Sequence, residues 1–301
     1  MMPTELTLAT RRSALALAQS RAFARSLEAA VPDLSLRELE VVTSGDKTQD
    51  RSLQDIGGKG LFIKELEEAL LDRRADFAVH SIKDVPAEIA PALCLACIPA
   101  REDPRDALVT RSGALLAELP AGARVGTSSL RRAVALREAR PDLVIEPVRG
   151  NVDTRLRKVF DGVFDAVVLA LAGLKRLGLE ARATEVLSPE VSLPAIGQGA
   201  LGIECRTADD SVRDVLGTLA DAETTICVSA ERAVMAAVEG SCRTPVAAYA
   251  VRDGGALWLR ALLAEPDGSR LRRAERRLSW PGNTREAERL GADLGAELKK
   301  G

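Results

Sequence analysis

The chain has 301 residues, 29% charged and 46% apolar, and its 42 basic side chains nearly balance 44 acidic ones. That length suffices for a substantial core in two or three domains, while the balance excludes a global field drawing the chain to nucleic acid or a membrane, so any basic patch is local. No apolar run reaches the ~20 residues of a membrane span, the first residues lack the charged and apolar regions of a signal peptide, and five cysteines, an odd number, argue for reduced thiols. The expectation is a cytoplasmic globular protein.

In chain order, Leu6 to Ala9 reads as a strand, and Ser13 to Ala30 carries helical spacing through Leu15, Ala18, Ala22 and Leu27 until Pro32 stops it. A strand over Leu36 to Val42 follows. Thr43 to Gly60 turns to Ser, Gly, Asp, Lys and Gln, ending in Gly57-Gly58-Lys59-Gly60, which suits a long mobile loop. A helix over Leu61 to Arg73, a buried strand over Asp76 to Val79 and an apolar run from Ala92 to Ile98 complete an alternation that predicts a parallel sheet. Arg101 to Asp106 reads as a charge-dense linker, after which strands at Ala107 to Thr110, Arg124 to Gly126, Leu143 to Val148 and Asp165 to Ala170 mark a second α/β domain. Leu201 to Cys205 reads as a strand returning to the first domain. Beyond Glu223 come a helix to Glu239, three strands (Val246 to Val251, Leu257 to Leu263, Leu271 to Leu278) and a last helix from Thr284 to Lys299, a small α+β domain. The domains expected are 1–100 with 195–220, then 101–194, then 221–301.

Val79-His80-Ser81-Ile82-Lys83-Asp84-Val85-Pro86 holds the only histidine and places four reactive or charged side chains where a buried strand ends. In open α/β sheets that edge is where ligands bind, although a solvated turn has the same composition. Arginines recur where strands give way to helices: Arg11 and Arg12, Arg131 and Arg132 after Gly126-Thr127-Ser128-Ser129, and Arg149 with Arg155 around Gly150-Asn151. A cation is electrostatically misplaced at a helix amino terminus unless an anion lies between. Each arginine alone reads as a surface residue, but the repeated pattern points to an anion-binding crevice whose ligand carries several negative charges.

Among the cysteines only Cys242 falls on a loop, after Gly240 as an αL helix stop and beside Arg243, which favours thiolate; it suits a nucleophile, an attachment point or an ordinary loop thiol. Cys94 and Cys97 lack the partners of a metal site, so no metal is expected. Gly197 to Gly202 spells a dinucleotide fingerprint but leads into a strand, and Gly57 to Gly60 lacks P-loop spacing, so nucleotide binding is not supported.

With these residues assembled, the chain closely resembles the porphobilinogen deaminase (hydroxymethylbilane synthase) family over nearly its whole length. The stretches that carry the likeness are Ala9 to Ser13, Gly57 to Phe62, His80 to Pro86, Arg101 to Asp106, Gly126 to Arg132, Arg149 to Asn151, Leu193 to Gly199 and Glu239 to Cys242. The resemblance implies two periplasmic-binding-protein-like α/β domains, a small C-terminal α+β domain with a three-stranded sheet, and a dipyrromethane cofactor held by a thioether to Cys242. It implies head-to-tail condensation of four porphobilinogen molecules with loss of ammonia, then hydrolytic release of linear hydroxymethylbilane. By correspondence Asp84 is the catalytic carboxylate, placed to stabilise an azafulvenium-like cation in a partly desolvated cleft. Ser81, Lys83, Asp84, Thr127, Ser129, Arg131, Arg132, Arg149, Gly150, Arg155 and Gln198 would hold the cofactor. Arg11, Ser13, Gln19 and Arg176 would face substrate, and Thr43 to Phe62, with Lys59 and Phe62, would form a lid. Asp55, Asp153 and the Ser241-Cys242-Arg243 loop depart from the family pattern. His80 is expected to support the wall. The partner is a small molecule, with neither nucleic acid nor membrane, and the chain is expected to be a monomer. The rival reading is a non-catalytic solute-binding or effector-sensing protein with an Arg-lined cleft for a polycarboxylate.

Overall fold

The structure is a computed structural model that describes residues 3–44, 63–240 and 244–300. Its chain divides into two compact units, residues 1–101 with 200–225, and 102–199 with 226–301.

In the first unit, β1 (Glu5–Arg11), β2 (Ser35–Val41), β3 (Phe77–Ser81), β4 (Leu93–Cys97) and β10 (Leu201–Arg206) form one sheet in the order β2-β1-β3-β10-β4. Helix α1 (Ala14–Ala30) starts where the Ser13 hydroxyl accepts from the Ala16 N–H at 3.3 Å, and Phe23 and Leu27 seal it against Phe77 and Val79. On another face α2 (Lys64–Leu71) packs Leu66, Ala69 and Leu70 over Ala9 and Ala78. Helix α6 (Asp210–Gly217) adds Val212, Val215 and Leu216 to the α1 side of the core.

The second unit holds β5 (Asp106–Thr110), β6 (Arg124–Gly126), β7 (Val144–Glu146), β8 (Ala166–Ala170) and β9 (Glu185–Leu187), ordered β7-β6-β8-β5-β9, with α3 (Leu130–Ala139), α4 (Val152–Phe160) and α5 (Leu171–Arg176). A third sheet, β11 (Val246–Asp253), β12 (Ala256–Leu263) and β13 (Arg272–Ser279), is an antiparallel meander. One face of it, through Ala248, Ala250, Leu257, Leu259 and Ala261, packs on α7 (Ala222–Ala237) and α8 (Thr284–Lys300). The expected fold class, two α/β sheets followed by a small three-stranded α+β part, is what the chain adopts.

Three expectations need correction. Neither large sheet is purely parallel: β1 runs parallel to β2 and β3, but β10 is antiparallel to both β3 and β4. Likewise β6 is parallel to β7 and β8, while β5 is antiparallel to β8 and β9. In each unit the reversed strand is the first one after the chain crosses over from the other unit, β5 soon after residue 102 and β10, on the return, soon after residue 200. Strand–helix alternation fixes the direction only of strands joined by a crossover, and an entry strand has none within its unit. Asp106 is not the end of the charge-dense linker but the fully buried first residue of β5. Finally, the αL residue ending α7 is Glu239, with φ 54°, and not Gly240, whose N–H reaches back to the Met235 carbonyl at 2.9 Å. Space at Gly240 is tight, since a Cβ there would meet Val246 Cγ1 at 3.2 Å and Val238 Cγ2 at 3.3 Å.

Candidate active site

In the first unit the residues singled out from the opening motif converge. Strand β3 is buried through Phe77 to His80 and ends at half-buried Ser81. There the chain turns once, as a 3₁₀ turn over Ile82–Asp84 closed by Val85 N–H to the Ile82 carbonyl at 3.0 Å. Ile82 is buried at 1% exposure and its N–H donates to the Ala200 carbonyl at 3.1 Å, so it pins the turn while Lys83 and Asp84 stay exposed. Space for Ile82 exists because Gly202 lies beneath it: a Cβ on Gly202 would stand 2.5 Å from Ile82 Cδ1.

Asp84 borders an open pocket with Arg11, Ser13, Gln19, Ile63, Leu66, Val79, His80 and Ser81. Gln19 is buried in α1, yet its amide reaches across to donate to Ser81 Oγ at 2.9 Å, joining the start of α1 to the end of β3. His80 Nε2 lies 2.8 Å from Glu204 Oε2 on β10, both side chains nearly inaccessible, and Glu204 Oε1 has no partner among the described residues. Burial first, then the neighbouring Glu204, push the Glu67 carboxyl above its ordinary pKa. The wall-supporting role expected of His80 matches this geometry. Arg12, by contrast, faces solvent against Glu40 at 3.1 Å, an exposed pair of little energetic weight.

The second unit gathers the remaining charged candidates around its own sheet. Ser129 caps α3, its hydroxyl accepting from Arg132 N–H at 3.4 Å, and Thr127 Oγ1 accepts from Ser129 N–H at 3.2 Å. Arg131 and Arg132, in the first turn of α3, are buried and converge on Asp106: Arg131 Nη1 lies 2.8 Å from Oδ2, Arg132 Nη2 2.7 Å from Oδ1. The anion that these misplaced arginines call for is thus supplied in part by the protein. Burial alone would raise the Asp106 pKa, but Arg131 and Arg132 override it and hold the carboxyl far below the usual range. Gln198 joins them, its amide donating to Asp106 Oδ1 at 2.9 Å and to the Pro104 carbonyl.

Gly150, at φ 103°, leads into α4, where Asn151 Oδ1 caps Thr154 N–H at 2.9 Å; a Cβ on Gly150 would strike Thr154 at 2.6 Å. Arg155 Nε donates back to the Gly150 carbonyl at 2.9 Å, and burial, with a smaller push from Arg132, lowers its pKa to about 10. Arg149, next to Gly150 in sequence, is half-buried. Arg176, at the end of α5, donates to the Gly199 carbonyl at 2.6 Å, and burial lowers its pKa too. Gly199 itself, at φ 90°, has Glu102 O at 2.2 Å from where a Cβ would be.

Cys242, Lys59, Phe62, Asp55 and Arg243 lie outside the described residues. Of the other thiols, Cys97 and Cys205 are buried in strands and pushed up to about 12 by burial, a state that suppresses thiolate chemistry. Among the described residues no group of three His, Cys, Asp or Glu could hold a metal ion, and no helix is long and apolar enough to cross a membrane. The sequence reading missed Asp106, Ser192 and Glu204 as site-supporting residues. Only their burial identifies them, and a lone acidic residue beside an apolar run gives no such signal.

Residues 6–214 match the family description "Porphobilinogen deaminase, dipyromethane cofactor binding domain", and residues 225–300 match "Porphobilinogen deaminase, C-terminal domain". The chain belongs to the porphobilinogen deaminase family. Its activity is accordingly that of a hydroxymethylbilane synthase, a transferase of tetrapyrrole biosynthesis acting on porphobilinogen, and the region holding both large sheets is its dipyrromethane-binding part. Solved structures with a similar trace include the periplasmic VFT2 domain of Bordetella pertussis BvgS, 15% identical, covering 72% of this chain and 86% of that one, TM-score 0.43. The periplasmic aliphatic sulphonate binding protein SsuA from Escherichia coli is 14% identical over 79% of this chain and 71% of its own, TM-score 0.42. Substrate binding domain 2 of Lactococcus lactis GlnP is 10% identical, covering 71% and 87%, TM-score 0.43. Family membership sets aside the non-catalytic binding protein as the reading of this chain.

Proposed function

We propose that Asp84 is the catalytic carboxylate of this hydroxymethylbilane synthase, and that the observation carrying this assignment is its place on the rim of the pocket that Arg11, Ser13, Gln19 and Ser81 share. Departure of ammonia from porphobilinogen leaves positive charge on the methylene and pyrrole ring. An anion fixed on a pinned turn stabilises that charge without having to reorganise. Arg11, Ser13 and Gln19 bind the acetate and propionate of the incoming substrate, with Arg176 of the second unit assigned to the same task.

Ser81, Lys83, Asp84, Thr127, Ser129, Arg131, Arg132, Arg149, Gly150, Arg155 and Gln198 hold the dipyrromethane group, and Cys242 carries its thioether. The donor set fits such a group: Arg131 Nε is sealed from solvent without a partner among the described residues, and Arg155 has a desolvated charge that a carboxylate would compensate. When bound, the group supplies the pyrrole carbon onto which substrate is added. Residues 43–62 are assigned as the lid. The same reading takes the chain as three domains, 1–100 with 195–220, 101–194 and 221–301, in a cytoplasmic monomer.

Turnover and intact mass test it. Asp84→Ala is expected to retain the fold and lose nearly all turnover, and Asp84→Glu to leave a weak enzyme; normal turnover in Asp84→Ala removes the residue from the mechanism. The purified protein should exceed its polypeptide mass by two linked pyrroles, an excess lost in Cys242→Ala. An active enzyme of unmodified mass excludes the covalent attachment.

A further inference from the structure

Asp106 is a fully buried and heavily bonded carboxylate. It has no exposed surface, yet it accepts from Arg132 Nε at 3.0 Å and Nη2 at 2.7 Å, from Ser192 Oγ at 2.7 Å and from Gln198 Nε2 at 2.9 Å, with Arg131 Nη1 at 2.8 Å. A buried carboxylate is stable only when its lone pairs are filled in this way. What matters is how the two guanidiniums are divided. Arg132 gives Asp106 its Nε–Nη2 edge and spends Nη1 on the Val168 carbonyl at 3.1 Å, leaving it almost fully occupied. Arg131 gives only its Nη1 corner, shared with Ser192 Oγ at 3.2 Å and the Leu193 carbonyl at 2.6 Å. Its Nε has no acceptor among the described residues, and none of them accepts from its Nη2.

The unspent Nε–Nη2 edge has the geometry of a carboxylate fork, of which Nη2 is the donor open to a ligand and Nε is reached only with a small shift of its surroundings. One carboxylate against two guanidiniums also leaves one positive charge uncompensated. We infer that Asp106 is the positioning residue of the anion-binding half: by taking one corner of Arg131 and the whole edge of Arg132, it aims the remaining Arg131 fork at a carboxylate of the dipyrromethane group. This rests on the assignment of Arg131 and Arg132 to the cofactor. Ser192, which bonds both Asp106 and Arg131, fixes the corner, and Gln198 fixes the opposite side of the carboxylate. The two arginines of the motif thereby divide the work, Arg131 keeping donors unspent for the ligand while Arg132 also anchors Asp106 through its Nε–Nη2 edge.

The test uses protein as expressed and reads two quantities: the fraction carrying the dipyrromethane mass, and the melting temperature. Asp106→Asn, which turns an acceptor into a donor facing guanidinium, is expected to lower the loaded fraction at least tenfold. Should that variant fail to fold, Ser192→Ala decides, since it removes one bond and no charge: a several-fold drop in loading, or a several-fold rise in KM with kcat retained, is expected at an unchanged melting temperature. Full loading with wild-type KM in folded Asp106→Asn or in Ser192→Ala overturns the inference, as does a lowered melting temperature with loading untouched. Arg131→Gln separates the two levels. If it loads and turns over normally, the cofactor assignment fails; if it is impaired while the Asp106 and Ser192 variants are not, only the positioning role fails.

Discussion

The contact between Ile82 and Gly202 makes a quantitative prediction. A methyl group at residue 202 would stand 2.5 Å from Ile82 Cδ1 and 3.0 Å from Leu95 Cδ2. Carbon atoms pack at about 3.5–4.0 Å, so Gly202→Ala requires Ile82 to retreat by about 1 Å. Ile82 has no room to swing outward, being 1% exposed and tied through its N–H to Ala200. Whatever side-chain rotation does not absorb is passed to the turn it anchors, and two residues along that turn is Asp84. Overpacking of this kind costs about 1–3 kcal/mol of stability, and misplacing a catalytic group by about 1 Å costs on the order of 100-fold in rate. Ile82→Val removes the clashing Cδ1 at about 0.5–1.5 kcal/mol. The expected pattern is therefore a large loss of kcat in Gly202→Ala, a small one in Ile82→Val, and recovery in the double variant. It is measured as kcat at saturating porphobilinogen on cofactor-loaded enzyme, beside urea unfolding. A wild-type kcat in Gly202→Ala, or no recovery in the double variant, refutes the argument.

Three further outcomes follow from buried groups. Glu204→Leu leaves His80 Nε2 without its acceptor in the wall and should cost about 1–3 kcal/mol by urea unfolding, with Glu204→Gln costing less; wild-type stability in both would show that the pair fastens nothing. Arg155→Met removes a charge whose pKa burial has lowered to about 10, so the cofactor-free protein should melt higher while the loaded fraction falls, and a fall in both would make Arg155 structural. Cys97 and Cys205, pushed up to about 12, should resist alkylation by iodoacetamide at pH 8 in the native protein; rapid labelling of either contradicts their burial.

Most of the fold was legible because its elements carry local signals. Ser13 caps α1, β3 is a short run bounded by its own polar end, and the Asp253-Gly254-Gly255 turn separates β11 from β12. Strand direction was not legible, since it depends on where the chain enters each unit. The candidate site divided in the same way. Asp84 and the arginines could be singled out by type and position, whereas Asp106 looked like one more charge in Arg101 to Asp106. Its role follows from five contacts with residues as distant in sequence as Gln198, 92 positions away. Gly240 shows the limit of a motif rule, for the left-handed turn falls one residue earlier, on Glu239, and the glycine answers to crowding by Val246.

The return of β10 also bears on how the chain reaches this state. Strands β3 and β4 do not pair with each other; β10 lies between them and bonds both. Until residue 206 has left the ribosome, β3 is an open edge, and the turn bearing Asp84 lacks both the Ala200 carbonyl that holds it and the Gly202 socket that receives Ile82. The second sheet, complete by residue 187, can close first. The turn bearing Asp84 is therefore among the later parts to be set, and a nascent chain arrested before residue 200 should fold residues 102–199 while residues 1–101 remain sensitive to protease.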